Sequence, residues 1–150
     1  MYLTQQTDYA MRVLIYAAVN DGVLVNIGTI AEAYKISKSH LMKVVTALVK
    51  GGFLISVRGK GGGLRLAKSA EEIRVGDVVR LIEPMQIAEC FGSNNQCVIT
   101  PHCRLADVLH SGLRIFLQHL DGFTLADLIN RPTSQMLQET HIAINAAGKH

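Results

Sequence analysis

Three residues, Lys35-Ile36-Ser37, separate two stretches of helical periodicity, and a gap that short admits only a tight turn. The first stretch, 27–34, has Asn26 as its N-cap and Ile27, Ile30, Ala31 and Tyr34 on one face. The second, 38–50, is capped by Ser37 and carries the apolar stripe Leu41, Val44, Val45, Leu48 and Val49. Gly51-Gly52 ends it in the manner of a left-handed C-cap. Two short helices across such a turn make a helix-turn-helix. The outward face of the second helix holds Lys38, Ser39, His40, Lys43, Thr46 and Lys50, hydrogen-bonders and cations suited to base edges and phosphates.

A β-prone segment, Phe53 to Arg58, and another, Leu64 to Ala67, flank Gly59-Lys60-Gly61-Gly62-Gly63, which predicts a hairpin. A Walker-type phosphate loop needs Ser or Thr after Gly-Lys, and Gly61 stands there, so the glycine run does not read as one. The hairpin reads instead as a basic wing with Arg58, Lys60 and Arg65, able to enter a minor groove or straddle phosphates. Charge supports this. Residues 1–70 hold nine bases against three acids, +6, and residues 71–150 six against nine, −3. From Lys35 to Lys68 there are eight Lys/Arg and no acid in thirty-four residues. A solvated basic face accounts for thirty-four residues without one acid less well than a nucleic-acid partner does, so double-stranded DNA is the expected partner.

The remaining elements follow in order. A first helix is expected over 5–20, with Thr4 as cap and Met11, Leu14, Ile15 and Ala18 at helical spacing. Another is expected over 75–83, stopping before Pro84, and 85–100 reads as a loop. Pro101 is placed to open a long helix to 119 or 120, whose seam is Leu105, Leu109, Gly112/Leu113, Phe116 and Leu120. On a DNA-binding chain such a seam suits a homodimer, with Leu109, Leu113 and Phe116 in the interface. A short helix is expected over 124–129, and a weakly patterned, mobile tail from Arg131. The fold class is therefore mainly α with a small β-hairpin wing: a winged helix-turn-helix over 1–70, a cysteine loop and dimerisation helix over 71–130, and a tail over 131–150. Met1-Tyr2-Leu3-Thr4 has no secretory character, and the apolar run Val13 to Val19 is only seven residues, so a soluble, cytoplasmic chain with no membrane partner is expected.

Cys90, Cys97 and Cys103 lie within fourteen positions of one another. An odd count in a reducing compartment argues against a disulfide framework and for metal or thiol chemistry. A nucleophilic enzyme needs one thiol beside a positioned base, and three clustered thiols do not fit that need. Zinc prefers tighter spacing. An iron–sulfur cluster suits a wider, glycine-bearing loop, with a fourth corner for a weaker ligand. Glu89, His102, Asp107, His110 or a residue of a second chain are available for it.

These features together resemble the winged-helix iron–sulfur transcriptional repressors, over about residues 1–130. The marks are Leu3-Thr4 with Thr7-Asp8-Tyr9, Val57-Arg58-Gly59-Lys60-Gly61-Gly62-Gly63, Arg74-Val75-Gly76-Asp77-Val78-Val79, the three cysteines, and Thr124-Leu125-Ala126-Asp127-Leu128. Leu81-Ile82-Glu83-Pro84 and Cys97-Val98-Ile99-Thr100-Pro101-His102-Cys103-Arg104-Leu105 look like the nitric-oxide-sensing branch of that family. The cluster-biogenesis branch has a ligand histidine where Ala106 stands. The resemblance implies a homodimeric repressor, not an enzyme, that holds operator DNA while a cluster is bound and releases it on nitric oxide. It implies Cys90, Cys97 and Cys103 as cluster ligands, Asp8 as an oxygen ligand from the partner subunit, and a 4Fe–4S cluster ahead of a 2Fe–2S one. Six residues between the first two cysteines, where relatives mostly have four or five, depart from the pattern. An iron–sulfur-status regulator, a thiol or zinc switch on the same fold, and a small basic redox enzyme are the alternatives.

Overall fold

The computed structural model describes residues 3–148. Its element order is α1 (Gln5–Val19), α2 (Ile27–Tyr34), α3 (Lys38–Lys50), β1 (Leu54–Val57), β2 (Gly63–Leu66), α4 (Val75–Ile82), α5 (Arg104–Asp121) and α6 (Arg131–Ala147), with short 3₁₀ turns between. The helix-turn-helix forms where its caps predict. Asn26 accepts the amide proton of Gly28 and Ser37 that of His40. In the turn, Lys35 takes a left-handed φ of 53°. Ile36 donates its amide to the Ala31 carbonyl and buries its side chain, which locks α2 against α3.

β1 and β2 pair antiparallel, Leu54 opposite Leu66 and Val57 opposite Gly63. Val25 adds a bridge to Leu64, exchanging both amide bonds, so the segment before α2 extends the wing's sheet. The wing tip needs its glycines. Gly59 and Gly61 have φ of +98° and +80°, and a Cβ on Gly62 would collide with the Val57 carbonyl oxygen.

α1 lies at the centre, packed against α3, α4, β2 and α6. Its buried side chains include Ala10, Val13, Leu14, Tyr16 and Ala17. One buried cluster joins them to Ile30, Leu41, Leu48, Leu54 and Leu66, and also to Ile73, Val78, Leu125 and Leu137. All three expected segments thus contribute to a common core.

The N-terminus of α1 is not closed as expected. Thr4 sits at the N-cap position but makes no side-chain cap bond. Instead the carboxylate of Glu83, just past α4, accepts from the Thr4 amide at 3.0 Å and the Thr4 hydroxyl at 3.0 Å. It also accepts from the hydroxyl of fully buried Thr7. An anion at the positive end of a helix dipole is favourable, and here it comes from seventy-nine residues away.

Three further expectations change. Pro101 does not open the long helix: it lies in a 3₁₀ turn, Thr100–His102, and α5 starts at Arg104, with Cys103 as its N-cap residue. The short helix near 124–129 is a single 3₁₀ turn, Ala126–Leu128, held by Asp127 accepting from the Thr124 amide. The segment read as a mobile tail is the seventeen-residue helix α6. Asn130 caps it, and Pro132 stands in its first turn. Its docking is largely polar, which is why no apolar period announced it. His141 Nδ1 meets the Tyr16 hydroxyl at 2.8 Å, Gln138 donates to the Val19 carbonyl, and Leu137 is the buried apolar contact. The last two residues of the expected tail lie outside the described range.

Two outcomes test this packing. Glu83→Ala should strand the buried Thr7 hydroxyl and destabilise the chain by about 1–3 kcal/mol in urea unfolding; an unchanged midpoint would mean that water replaces the carboxylate. Burial pushes the phenols of Tyr16 and Tyr34 up to about 12. For an acid whose folded pKa is raised, stability is full below the unfolded value, about 10, and is lost as pH rises towards the folded one. Unfolding midpoints should therefore hold to about pH 10 and fall between there and about 12, less steeply in Tyr16→Phe.

Candidate nucleic-acid interface and cysteine loop

The turn of the helix-turn-helix leaves the N-terminal turn of α3 in solvent. Lys38, Ser39 and His40 are exposed there, and Lys43, Thr46 and Lys50 continue the exposed face one and two turns on. Burial of Leu41, Val44, Val45 and Leu48 fixes which face that is. The hydroxyl of Thr46 donates to the Met42 carbonyl at 2.8 Å, so its proton is already used within the helix. What Thr46 has left for a ligand is its methyl group and oxygen lone pairs.

The wing divides its cations. Arg58 and Lys60 are exposed at the tip, and Arg58 shares a groove with Met42, Thr46 and Lys50 of α3. Arg65 stands opposite Ile55 in the ladder, while its neighbours Leu64 and Leu66 point into the core. Alternation therefore turns Arg65 the other way, into a polar recess with Asp21, Lys68, Glu71 and Glu72. The structure places Arg58 in one groove with Thr46 and Lys50 of α3, and Arg65 in a separate recess with Asp21, Lys68, Glu71 and Glu72; Lys38, Ser39, His40, Lys43 and Lys60 are exposed. Sequence reasoning missed Met42, exposed by 49% on the same face. Its spacing from Lys38, Ser39 and Thr46 was the signal that could have found it.

All three cysteines are free thiols: Cys90 and Cys103 are half-buried and Cys97 is exposed. Two side-chain-to-backbone bonds shape the loop between them. Glu89 accepts from the Gln96 amide at 2.8 Å and Asn95 from the Cys97 amide at 3.0 Å. Phe91, beside Cys90, stacks on His110 of α5 with ring centroids 3.9 Å apart. The donor set, three unpaired thiols on one solvent-reachable loop, suits iron–sulfur chemistry. Among the described residues, no three His, Cys, Asp or Glu side chains converge into a group that could hold a metal ion. Asp8 lies elsewhere, on the first turn of α1, in a 2.8 Å ion pair with Arg12. Ala106, at the position where the cluster-biogenesis branch carries histidine, is buried.

On α5, Leu113 and Phe116 line an apolar recess with Leu3, Val79, Pro84 and Ile87. A second stripe, Leu105, Val108 and Ile115, is about 60% exposed at each position and follows the same three-and-four spacing through Gly112. The far end of α5 is fixed to α4 by a two-bond pair, Arg80 to Asp121, both at 2.6 Å. There α4 comes so close that a Cβ on Gly76 would collide with the Asp121 carboxylate. No helix among the described residues is long and apolar enough to cross a membrane.

A family model described as Rrf2, iron-dependent transcriptional regulator, matches residues 3–131. Among solved structures, the oxidised form of CymR from Staphylococcus aureus is 28% identical, with TM-score 0.67, covering 85% of this chain and 95% of that one. IscR from T. potens is 27% identical, with TM-score 0.65 and 85% of each chain covered. CymR of B. subtilis, described as the global cysteine regulator, is 22% identical with TM-score 0.63 over 85% of this chain and 95% of that one, a likeness of fold.

Salt and substitution separate the roles of the exposed α3 and wing residues. Lys43→Ala and Lys60→Ala should each weaken binding to all duplexes and flatten the log–log salt slope by about 0.9 for every phosphate left without its cation. Ser39→Ala or His40→Ala should change which sequence is preferred. Operator affinity that survives removal of both lysines, measured by fluorescence anisotropy, would put the DNA face elsewhere.

Proposed function

Since the chain belongs to the Rrf2 family of iron-dependent transcriptional regulators, we propose that it is a homodimeric repressor whose grip on operator DNA is set by an iron–sulfur cluster and released by nitric oxide. Family membership makes it a transcription regulator with the winged-helix fold, and not an enzyme. The finer reading rests on one connection. The free cysteines follow α4 directly, α4 hands Glu83 to the first turn of α1, and α1 packs against the DNA-facing helix α3. Chemistry at the loop and reading of DNA are thereby joined by two elements.

Cys90, Cys97 and Cys103 would hold the cluster, and Asp8 of the partner subunit would take the fourth corner. Once bound, a 4Fe–4S or 2Fe–2S cluster supplies a centre that reacts with small oxidants and with nitric oxide. The chain's own residues do the rest. Asp8 is engaged with Arg12 in an exposed pair, worth only about 0.3–0.5 kcal/mol, so its carboxylate can be surrendered at small cost. Buried Ala106 supports the nitric-oxide branch, because it offers no imidazole where the cluster-biogenesis branch has one. A dimer would pair α5 helices. Leu109, Leu113 and Phe116, proposed for that interface, are half-buried in the single chain, and the more exposed Leu105, Val108 and Ile115 extend the surface available to a second copy.

A thiol switch on the same fold is the second reading, favoured by the likeness to the oxidised form of CymR from Staphylococcus aureus. Purification without air and a visible spectrum decide between them: a brown protein with charge-transfer bands for a cluster, a colourless one for thiols. Cys97→Ala should abolish the colour. Asp8→Ala should keep colour but change the spectrum and the rate of bleaching by nitric oxide. An Asp8→Ala protein identical to its parent in both would remove Asp8 from the ligand set and make His102 the first alternative.

A further inference from the structure

The groove between α3 and the wing is apolar where phosphate binding alone would call for polarity. Met42, Thr46, Val49 and Val57 line it together with Lys50 and Arg58. Met42 and Val57 are 49% and 40% exposed, so these are not core side chains grazing the surface. The thioether stands in the exposed face otherwise made of Lys38, Ser39, His40, Lys43 and Thr46. Beside it, Thr46 has committed its hydroxyl proton to the Met42 carbonyl, which leaves that side chain its methyl group and oxygen lone pairs. The cations around the groove select a polyanion, and the acid-free run from Lys35 to Lys68 keeps repulsive charge out. A duplex presents one apolar feature on its base edges in the major groove, the C5-methyl of thymine.

We propose that Met42, with the methyl group of Thr46 beside it, reads the C5-methyl of a thymine in each half-site, making Met42 a specificity-determining residue. The inference rests on α3 being the DNA-reading helix. Contact between a thioether and a methyl group removes roughly one methylene's worth of apolar surface from water, a preference of about three- to fivefold. It differs from lysine contacts in kind. It is insensitive to salt, since no counterion is released, and it vanishes when one methyl group is deleted from the DNA.

The test uses the full chain purified without air and a duplex selected by it from a randomised pool. Each thymine of that duplex is replaced singly by deoxyuridine, which removes the methyl and leaves base pairing intact. The parent should lose about three- to fivefold in affinity at one symmetry-related pair of positions and little elsewhere. Met42→Ala should bind the thymine and deoxyuridine duplexes equally, with the salt slope of the parent, and Met42→Leu should restore the difference. A deoxyuridine penalty that persists in Met42→Ala, or no penalty at any position, overturns the assignment. If those results come with a steep salt slope, α3 still reads DNA and only the thymine contact fails. If Lys43→Ala also leaves binding unchanged, DNA binding through α3 fails first. Loss of solubility or self-association of the parent relieved by Met42→Ala would assign the groove to a second protein surface.

Discussion

α1 touches nearly everything that matters. It packs against α3, the second wing strand, the helix that leads into the cysteine loop, and the C-terminal helix. Its two ends are finished by groups of different origin. At the C-terminus, Asn20 folds back to the Tyr16 carbonyl from within the same turn. At the N-terminus the anion is Glu83, brought by the chain's second half. Separating α4 from α1 would therefore expose a buried threonine hydroxyl and undo a helix end in one step. The halves cannot part cheaply, and a change in one is felt in the other.

The opposite charges of the two halves follow a similar logic. The run from Lys35 to Lys68, with eight cations and no acid, repels itself, and its stability has to come from underneath. Leu41, Leu48 and Leu54 supply it, each at most 2% exposed. Acids are then free to serve elsewhere: Asp121 bonds Arg80, Asp127 closes the turn after α5, and Glu89 holds the cysteine loop. Each of those carboxylates has a partner of its own within the second half of the chain.

What could be read from the sequence was whatever local chemistry decides. Asn26 and Ser37 cap helices by bonds two and three residues long, and α2 and α3 form with the expected bounds. The wing is dictated by a run of glycines that no other backbone could follow. Where a distant group outbids a local one, reading fails. Thr4 is a good N-cap residue, yet its hydroxyl goes to Glu83. Arg65 is a wing cation by position, and its side chain also lines a recess with Asp21, Glu71 and Glu72, neighbours from outside the acid-free run. α6 hides its periodicity because His141 and Gln138 dock it through hydrogen bonds; Asn130 and Pro132 were the only local announcement. The three cysteines are legible as donors, and their convergence is not, because spacing along a loop does not fix where its side chains meet.

That last point bears on how such a protein can switch. A site whose thiols were already gathered would gain little free energy difference between its empty and filled states, and a ligand without differential affinity shifts nothing. Here the loop carries Val98 at 91% exposure and Ile99 at 61%, with short local bonds rather than a packed interior. Gathering Cys90, Cys97 and Cys103 would have to reorganise it, and Cys103 is also the N-cap residue of α5. Ligand capture by the proposed site would thus be coupled to the start of α5 by covalent geometry, and through the Phe91–His110 stack to its second turn. From there the two-bond Arg80–Asp121 pair ties the far end of α5 to α4, and Glu83, just past α4, reaches α1. A disordered tether could not carry a rearrangement along that route; two helices pinned at both ends can.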